Sequence, residues 1–200
     1  MNLHIEQIPV GPLDANCYIL ENTDAGECLI VDPGGEAERI RNTVGPRKPK
    51  AVFLTHAHWD HIAAVDEICE GYGIPLYVHE LDAPKLFSSE ENLSTMFGCP
   101  IQVHTKPELL REGDEPEIAG ITLQVLHTPG HSVGSVCYLL PDHLGILTGD
   151  TLFAHGYGRT DFPDGNYSQI IQSLRRLFKL TPEMTAYPGH DVAGKVGRNE

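Results

Sequence analysis

Thr55-His56-Ala57-His58-Trp59-Asp60-His61 packs three histidines and an aspartate into seven positions, a concentration that chain folding alone does not call for. Immediately before it, residues 51–54 read Ala-Val-Phe-Leu, a short apolar run of the kind that fills a buried strand. After it, Ile62, Val65, Ile68 and Cys69 recur at helical spacing, so the motif leaves a strand and opens a helix. On the extended turn between them, residues two apart point the same way, and His56 and His58 therefore present their imidazoles to one centre. Asp60 and His61 enter the helix and aim elsewhere. That geometry predicts two neighbouring metal ions, each with its own ligands from the motif.

Working outward, strands are expected at 3–8, 17–20 and 28–31, the last running into the turn Asp32-Pro33-Gly34-Gly35 and then a helix at 36–43. A strand near 76–78 follows Pro75, and 82–97 reads as mixed helix and loop. The second half repeats the pattern, with strands at 121–126, 136–140 and 145–147, a helix at 168–180 and a last short strand at 184–187. In that helix Ile170, Ile171, Leu174, Leu177 and Phe178 are read as one apolar face. Runs of strands with helices between them predict an α/β (α+β) protein in which two mixed sheets are sandwiched by outer helices. Residues 1–200 fit one domain, since single-core domains run to about 250 residues.

Three further polar clusters fall where strands end. His131 lies in His127-Thr128-Pro129-Gly130-His131-Ser132, Asp150 in Leu147-Thr148-Gly149-Asp150-Thr151, and His190 in Tyr187-Pro188-Gly189-His190-Asp191. Proline and glycine force sharp turns that present the next side chain just past a strand. With the opening motif these supply the ligands of a two-metal site: His56, His58 and His131 on one ion, Asp60, His61 and His190 on the other, and Asp150 bridging both. All seven are nitrogen or oxygen donors, a set suited to Zn, Fe or Mn. Asp32 and Asp191 are candidates to orient the histidines from behind, with turn formation the favoured role for Asp191.

Composition bounds the partners. Fourteen Lys and Arg against 28 Asp and Glu give a formal charge of −14, which repels phosphate backbones and anionic membrane surfaces, so neither nucleic acid nor membrane is expected as a partner. No basic region followed by an apolar stretch opens the chain, and no segment approaches the ~20 apolar residues of a membrane span. Cys17, Cys28, Cys69, Cys99 and Cys137 are odd in number, scattered and without a CxxC pair, which fits small buried apolar groups in a reduced, cytoplasmic setting.

The motif at 55–61, the Pro-Gly-His turn ending at His131, Gly149-Asp150 and the second Pro-Gly-His turn ending at His190, in this order and across nearly the whole chain, resemble the metallo-β-lactamase superfamily. That resemblance implies a four-layer αββα sandwich with a dinuclear site at one edge of the sheets. An aspartate at the bridging position differs from the cysteine of the true β-lactamases, which disfavours antibiotic hydrolysis. Gly158-Arg159-Thr160-Asp161-Phe162-Pro163 is similar to a block of the single-domain glyoxalase II (hydroxyacylglutathione hydrolase) branch, and a very similar block occurs in persulfide dioxygenases. Trp59 favours the glyoxalase II side. The chain stops ten residues after His190, without the helical domain by which two-domain glyoxalase II enzymes hold glutathione, and it has Val192 where they carry a tyrosine. Arg159, near the place of a glutathione-binding lysine, is the candidate substrate contact, with Lys195 and Arg198 as lesser ones.

The resemblance thus implies a hydrolase of small-molecule glutathione thioesters, turning S-lactoylglutathione into lactate and glutathione by means of a metal-bridging hydroxide. Two divalent ions, Zn first among them, would bring the pKa of a shared water from 15.7 towards about 7. Asp60 is the candidate proton acceptor. A thioester suits such a site because its thiol, with a pKa near 8.5, leaves without a strong general acid. Two alternatives stay open: a persulfide dioxygenase with a single iron on His56, His131 and Asp150, and a lactonase of the same fold that differs around Phe97 and Phe153.

Overall fold

A computed structural model describes residues 1–180 and 183–196. In chain order it contains β1 (Leu3–Val10), β2 (Ala15–Asn22), β3 (Glu27–Val31), α1 (Ala37–Val44), β4 (Lys48–Phe53), α2 (Trp59–Ile62), α3 (Val65–Tyr72) and β5 (Leu76–His79). A 3₁₀ turn, Ala83–Phe87, precedes β6 (Pro107–Leu110), β7 (Glu117–Ile118), β8 (Ile121–Thr122), β9 (Gln124–His127), β10 (Val136–Leu139) and β11 (Ile146–Gly149). The chain closes with α4 (Tyr167–Leu180), β12 (Thr185–Pro188) and β13 (Gly194–Lys195).

Two sheets form the centre. The first has the order β1-β2-β3-β4-β5-β6, antiparallel through β3 and parallel from β3 to β6. The second has the order β13-β12-β11-β10-β9, with β11 and β12 parallel and the other pairs antiparallel. Alternation along each strand sorts residues to opposite faces. On one face of the first sheet Cys17, Ile19, Cys28, Ile30, Val52 and Leu54 pack with Ile40 of α1 and Ile68 of α3. On the other, Tyr18, Leu20, Leu29, Val31, Ala51 and Phe53 meet Val125, Val136, Tyr138 and Leu147 of the second sheet. The far face of that sheet gives Leu126, Cys137, Ile146 and Ala186 to Ile170, Leu174 and Leu177 of α4. The layers are therefore helix, sheet, sheet, helix, the αββα sandwich expected, and each buried Leu or Ile side chain contributes roughly 1.5–3 kcal/mol.

Three local expectations are corrected and one strand is added. The strand read at 121–126 divides: β8 pairs with β7 in a separate hairpin and β9 joins the second sheet. The apolar spacing from Ile62 to Cys69 spans two helices, because the Ala64 amide leaves the helical ladder to bond the Pro33 carbonyl at 2.9 Å. Phe178 is exposed rather than part of the buried face of α4. At 100° per residue, positions 170, 174 and 177 lie within one narrow stripe, whereas Ile171 and Phe178 fall on its flank. Residues 107–110, for which the sequence pattern predicted no element, form β6.

Four of the five cysteines are buried and Cys99 is half-buried. Among the described residues no helix is long and apolar enough to cross a membrane. Arg198 and the side chain of Lys195 lie outside the described residues.

Candidate metal centre

The ligand-bearing segments leave the carboxyl ends of strands from both sheets. Thr55 to His61 follows β4, His131 follows β9, Asp150 follows β11 and His190 follows β12. Bonds across the sandwich hold these ends together. Tyr138 Oη donates to the Leu54 carbonyl and Tyr18 Oη to the Pro188 carbonyl, both at 2.6 Å, while the Val136 amide bonds the Thr55 carbonyl at 2.8 Å. Backbone also comes closer than any side chain would permit. A Cβ on Gly34 would lie 1.7 Å from the Asp60 carbonyl oxygen, and one on Gly189 would lie 2.1 Å from Asp150 Oδ1.

The seven side chains predicted as ligands converge. His56, His58 and His131 form one group, Asp60, His61 and His190 another, with one ligating atom per residue and all such atoms of a group within 4.8 Å of one another. Asp150 lies between the groups. Its Oδ1 is 3.5 Å from His61 Nε2, and its Oδ2 is 3.4 Å from His131 Nε2 and 3.7 Å from His190 Nε2. Asp60 Oδ2 stands 3.3 Å from His190 Nε2, and His58 Nδ1 stands 2.9 Å from His131 Nε2.

Outer partners select which nitrogen of each ring is bare. His61 Nδ1 donates to Asp32 Oδ2 at 3.0 Å, His131 Nδ1 to the Arg159 carbonyl at 2.8 Å and His190 Nδ1 to the Leu13 carbonyl at 3.2 Å. Thr55 Oγ1 donates to Asp32 Oδ2, so its lone pair is left for His56 Nδ1 at 3.2 Å. Each of these four rings then offers Nε2 as a lone pair, the arrangement that metal-ligating histidines adopt. His58 differs, turning Nδ1 toward His131.

This donor set fits metal ions. Among the described residues, His56 Nε2, His58 Nε2, His61 Nε2 and Asp150 Oδ1 are buried without a hydrogen-bond partner. An unsatisfied buried polar group costs about 1–3 kcal/mol, so four in one place call for a ligand. Electrostatics agree. Burial, together with neighbouring histidines, pushes His56 and His58 well below the ordinary imidazole range, keeping them neutral. Burial opposes a charged His61 as well, yet Asp60, Asp32 and Asp150 outweigh it and raise that ring well above its usual value. For Asp150 burial is likewise overcome, by His131, His61 and His190, and its pKa falls to about 2. Three carboxylates beside the neutral His56 and His58 invite cations, and a metal ion would take the place of the proton held on His61.

Asp32 has the orienting role foreseen for it. Its backbone sits in the left-handed region at φ 51°, and its carboxylate accepts from the Thr55 amide at 2.7 Å in addition to His61. Asp191 is an exposed turn residue at φ 67°, whose carbonyl accepts from Gln7 and Asn16. Sequence reasoning missed Asp82 altogether. Fully buried at the end of β5, it accepts from the amides of Ala57 and Gly134, both at 2.8 Å, and from Ser132 Oγ at 2.6 Å. It thereby joins the His56–His58 turn to the turn carrying His131. The signal available for it was a carboxylate just past a parallel strand, the same signal that marks Asp32 and Asp150.

A cavity of about 410 Å³ opens over the cluster, walled by Leu13, Trp59, Leu93, Phe97, Phe153 and Phe162. Arg159 lines it too, with its guanidinium 4.4 Å from the Phe162 ring centroid and bound to Asp161 at 2.7 and 2.6 Å. Space of this size and character suits a small molecule with an apolar part.

A family model described as the metallo-beta-lactamase superfamily matches residues 10–190. The chain is 42% identical over 183 residues to the probable metallo-hydrolase YqgX of Bacillus subtilis (strain 168), covering 90% of this chain and 85% of that protein. It is 32% identical over 203 residues to the hydroxyacylglutathione hydrolase GloC of Haemophilus influenzae, covering 99% and 95%. Among solved structures, that of the BLEG-1 B3 metallo-beta-lactamase superposes with a TM-score of 0.92 at 35% identity, covering 97% of this chain and 95% of that one.

Proposed function

The chain belongs to the metallo-beta-lactamase superfamily, and from that premise we propose that it is a metal-dependent hydrolase of glutathione thioesters, S-lactoylglutathione being the reference substrate. The observation that carries the hydrolytic reading is the place of Asp150, one oxygen toward His61 and the other toward His131 and His190, between two complete three-residue groups. His56, His58 and His131 would hold one divalent ion, Asp60, His61 and His190 the other, and Asp150 both. When bound, such a pair supplies hydroxide at neutral pH and an electrophile for the substrate carbonyl.

The chain's own residues then divide the remaining tasks. Burial alone would raise the Asp60 carboxyl, but His61 and His190 outweigh it and hold Asp60 below the ordinary carboxylate range. It is therefore ionised at neutral pH, and proton acceptor is the role we assign to it beside its place as a ligand. Trp59, Phe97, Phe153 and Phe162 exclude water from the acyl group, which strengthens every polar interaction beneath them. Arg159 is the contact proposed for a substrate carboxylate, exchanging Asp161 for it. No acid is required at the leaving group, because a thiol of pKa near 8.5 departs as thiolate. GloC, similar over nearly the whole chain, bears a name for this reaction. Residues 1–200 act in this reading as one domain on a small molecule, in the reduced cytoplasmic compartment where thiols persist.

The test is metal content per chain measured beside turnover of S-lactoylglutathione, glutathione persulfide and a β-lactam. Two metals with thioester hydrolysis are expected. One iron with oxygen uptake on the persulfide and no thioesterase activity would overturn the reading in favour of a dioxygenase. β-Lactam cleavage without thioester cleavage would overturn the substrate class, an arm included because BLEG-1 is similar to this chain.

A further inference from the structure

Lys85 is a buried cation that the proposed reaction does not use. On the 3₁₀ turn Ala83–Phe87 and only 5% exposed, it places its ammonium against Ser132 Oγ, against Asp82 Oδ1 at 3.1 Å and against the Asp164 carboxylate. Asp82 alone would balance its charge, and Asp82 has three other donors. The second carboxylate, Asp164, comes from the segment between β11 and α4 that forms one wall of the cavity, and it also accepts from the Val133 amide at 3.0 Å.

We propose that Lys85 and Asp164 form a buried latch that holds Phe162, and through it the Arg159 guanidinium, against the candidate metal centre, and that both are positioning residues for substrate affinity rather than for metal binding. The other ties of this segment lie on either side of the latch. At one end the Gly158 amide bonds the Asp150 carbonyl at 3.0 Å and the Arg159 carbonyl accepts from His131. At the other the Asn166 amide bonds the Gly130 carbonyl at 2.7 Å. Phe162 sits between these ties, with its ring centroid 5.3 Å from that of His58 and 5.8 Å from that of His131. Opening the latch frees 160–165 while His131 keeps its acceptor. The metal ligands stay in place and the cavity wall moves.

Asp164→Asn tests this, because it leaves Lys85 paired with Asp82 and spares the fold; Lys85→Met is the companion. In the metal-loaded enzyme both should raise KM for S-lactoylglutathione about tenfold, with kcat within about threefold and metal content unchanged. The double variant should be no worse than the stronger single, since one contact is lost once. Asp164→Glu should restore most of the affinity. The chain's single tryptophan, Trp59, lines the cavity, so its fluorescence reports the Kd of a non-hydrolysable S-alkyl glutathione thioether, which should weaken by the same factor.

The affinity readouts rest on the thioesterase reading, and amide hydrogen exchange does not. Exchange at 160–165, and at Val133 whose amide loses its acceptor, should quicken in Asp164→Asn while the other amides of 128–135 stay put. If neither ligand engages the wild type, the substrate assignment fails and exchange alone decides the latch. Unchanged exchange with only a lowered Tm would make the pair purely structural, and loss of metal would make it part of the metal site; either outcome overturns the proposal.

Discussion

Asp32 and Asp82 are both buried carboxylates just past β3 and β5, the two strands that flank β4 in the first sheet, one behind each half of the candidate metal centre, yet they serve it differently. Asp32 touches a candidate ligand directly, fixing which nitrogen of His61 carries the proton, and through Thr55 it reaches His56. Among the described residues, Asp82 hydrogen-bonds to no candidate ligand. It gathers the Ala57 and Gly134 amides and Ser132, the backbone around His56, His58 and His131, and is itself neutralised by Lys85. One carboxylate tunes donors, and the other builds the floor on which donors stand. A substitution at the first should therefore appear in metal affinity, and one at the second in stability.

Asp150→Ala removes the group the two halves share. Both metals and all measurable thioester hydrolysis should be lost, at least ~10³-fold in kcat/KM, as read by metal analysis and steady-state kinetics. Full metal content in that variant would show the halves to be independent. Asp82→Ala comes next, leaving Lys85 buried with only Asp164 and depriving two amides of their acceptor. A loss of about 3–5 kcal/mol in denaturant unfolding is expected. Asp32→Asn should be milder for the fold but should weaken metal binding ~10–100-fold in a chelator competition, because the amide can no longer accept from both His61 and Thr55. If Asp32→Asn lowered stability more than Asp82→Ala while sparing metal affinity, the division of labour would be reversed. Phe178→Ser is the smallest, within about 0.5 kcal/mol, since that ring is 43% exposed on the flank of α4.

The sandwich and the convergence of the seven candidate ligands were legible because both are written in local pattern. Alternating apolar strands sort into two faces, and each candidate ligand sits in a short polar block directly after a strand. Asp82 was not legible because its meaning lies in partners 25, 50 and 52 residues away, Ala57, Ser132 and Gly134. The same holds for Lys85, which reads as one more surface lysine until the fold brings Asp164 beside it. The break between α2 and α3 was hidden for a related reason: the apolar spacing continues through it, and only the Pro33 carbonyl, from another part of the chain, takes the Ala64 amide. Phe178 shows the opposite error, a local apolar residue credited with burial that helix geometry denies it.

None of the seven candidate ligands belongs to any of the three apolar clusters. The sandwich can therefore close before any ion arrives, unlike small zinc modules whose chains stay unfolded without their metal. Folding and metallation should then be separable events, which circular dichroism of the metal-stripped protein would test. Which ion it carries is then set by what the surrounding metal pool delivers to a finished site, so the same polypeptide grown under different metal supply should yield populations of identical fold and different reactivity.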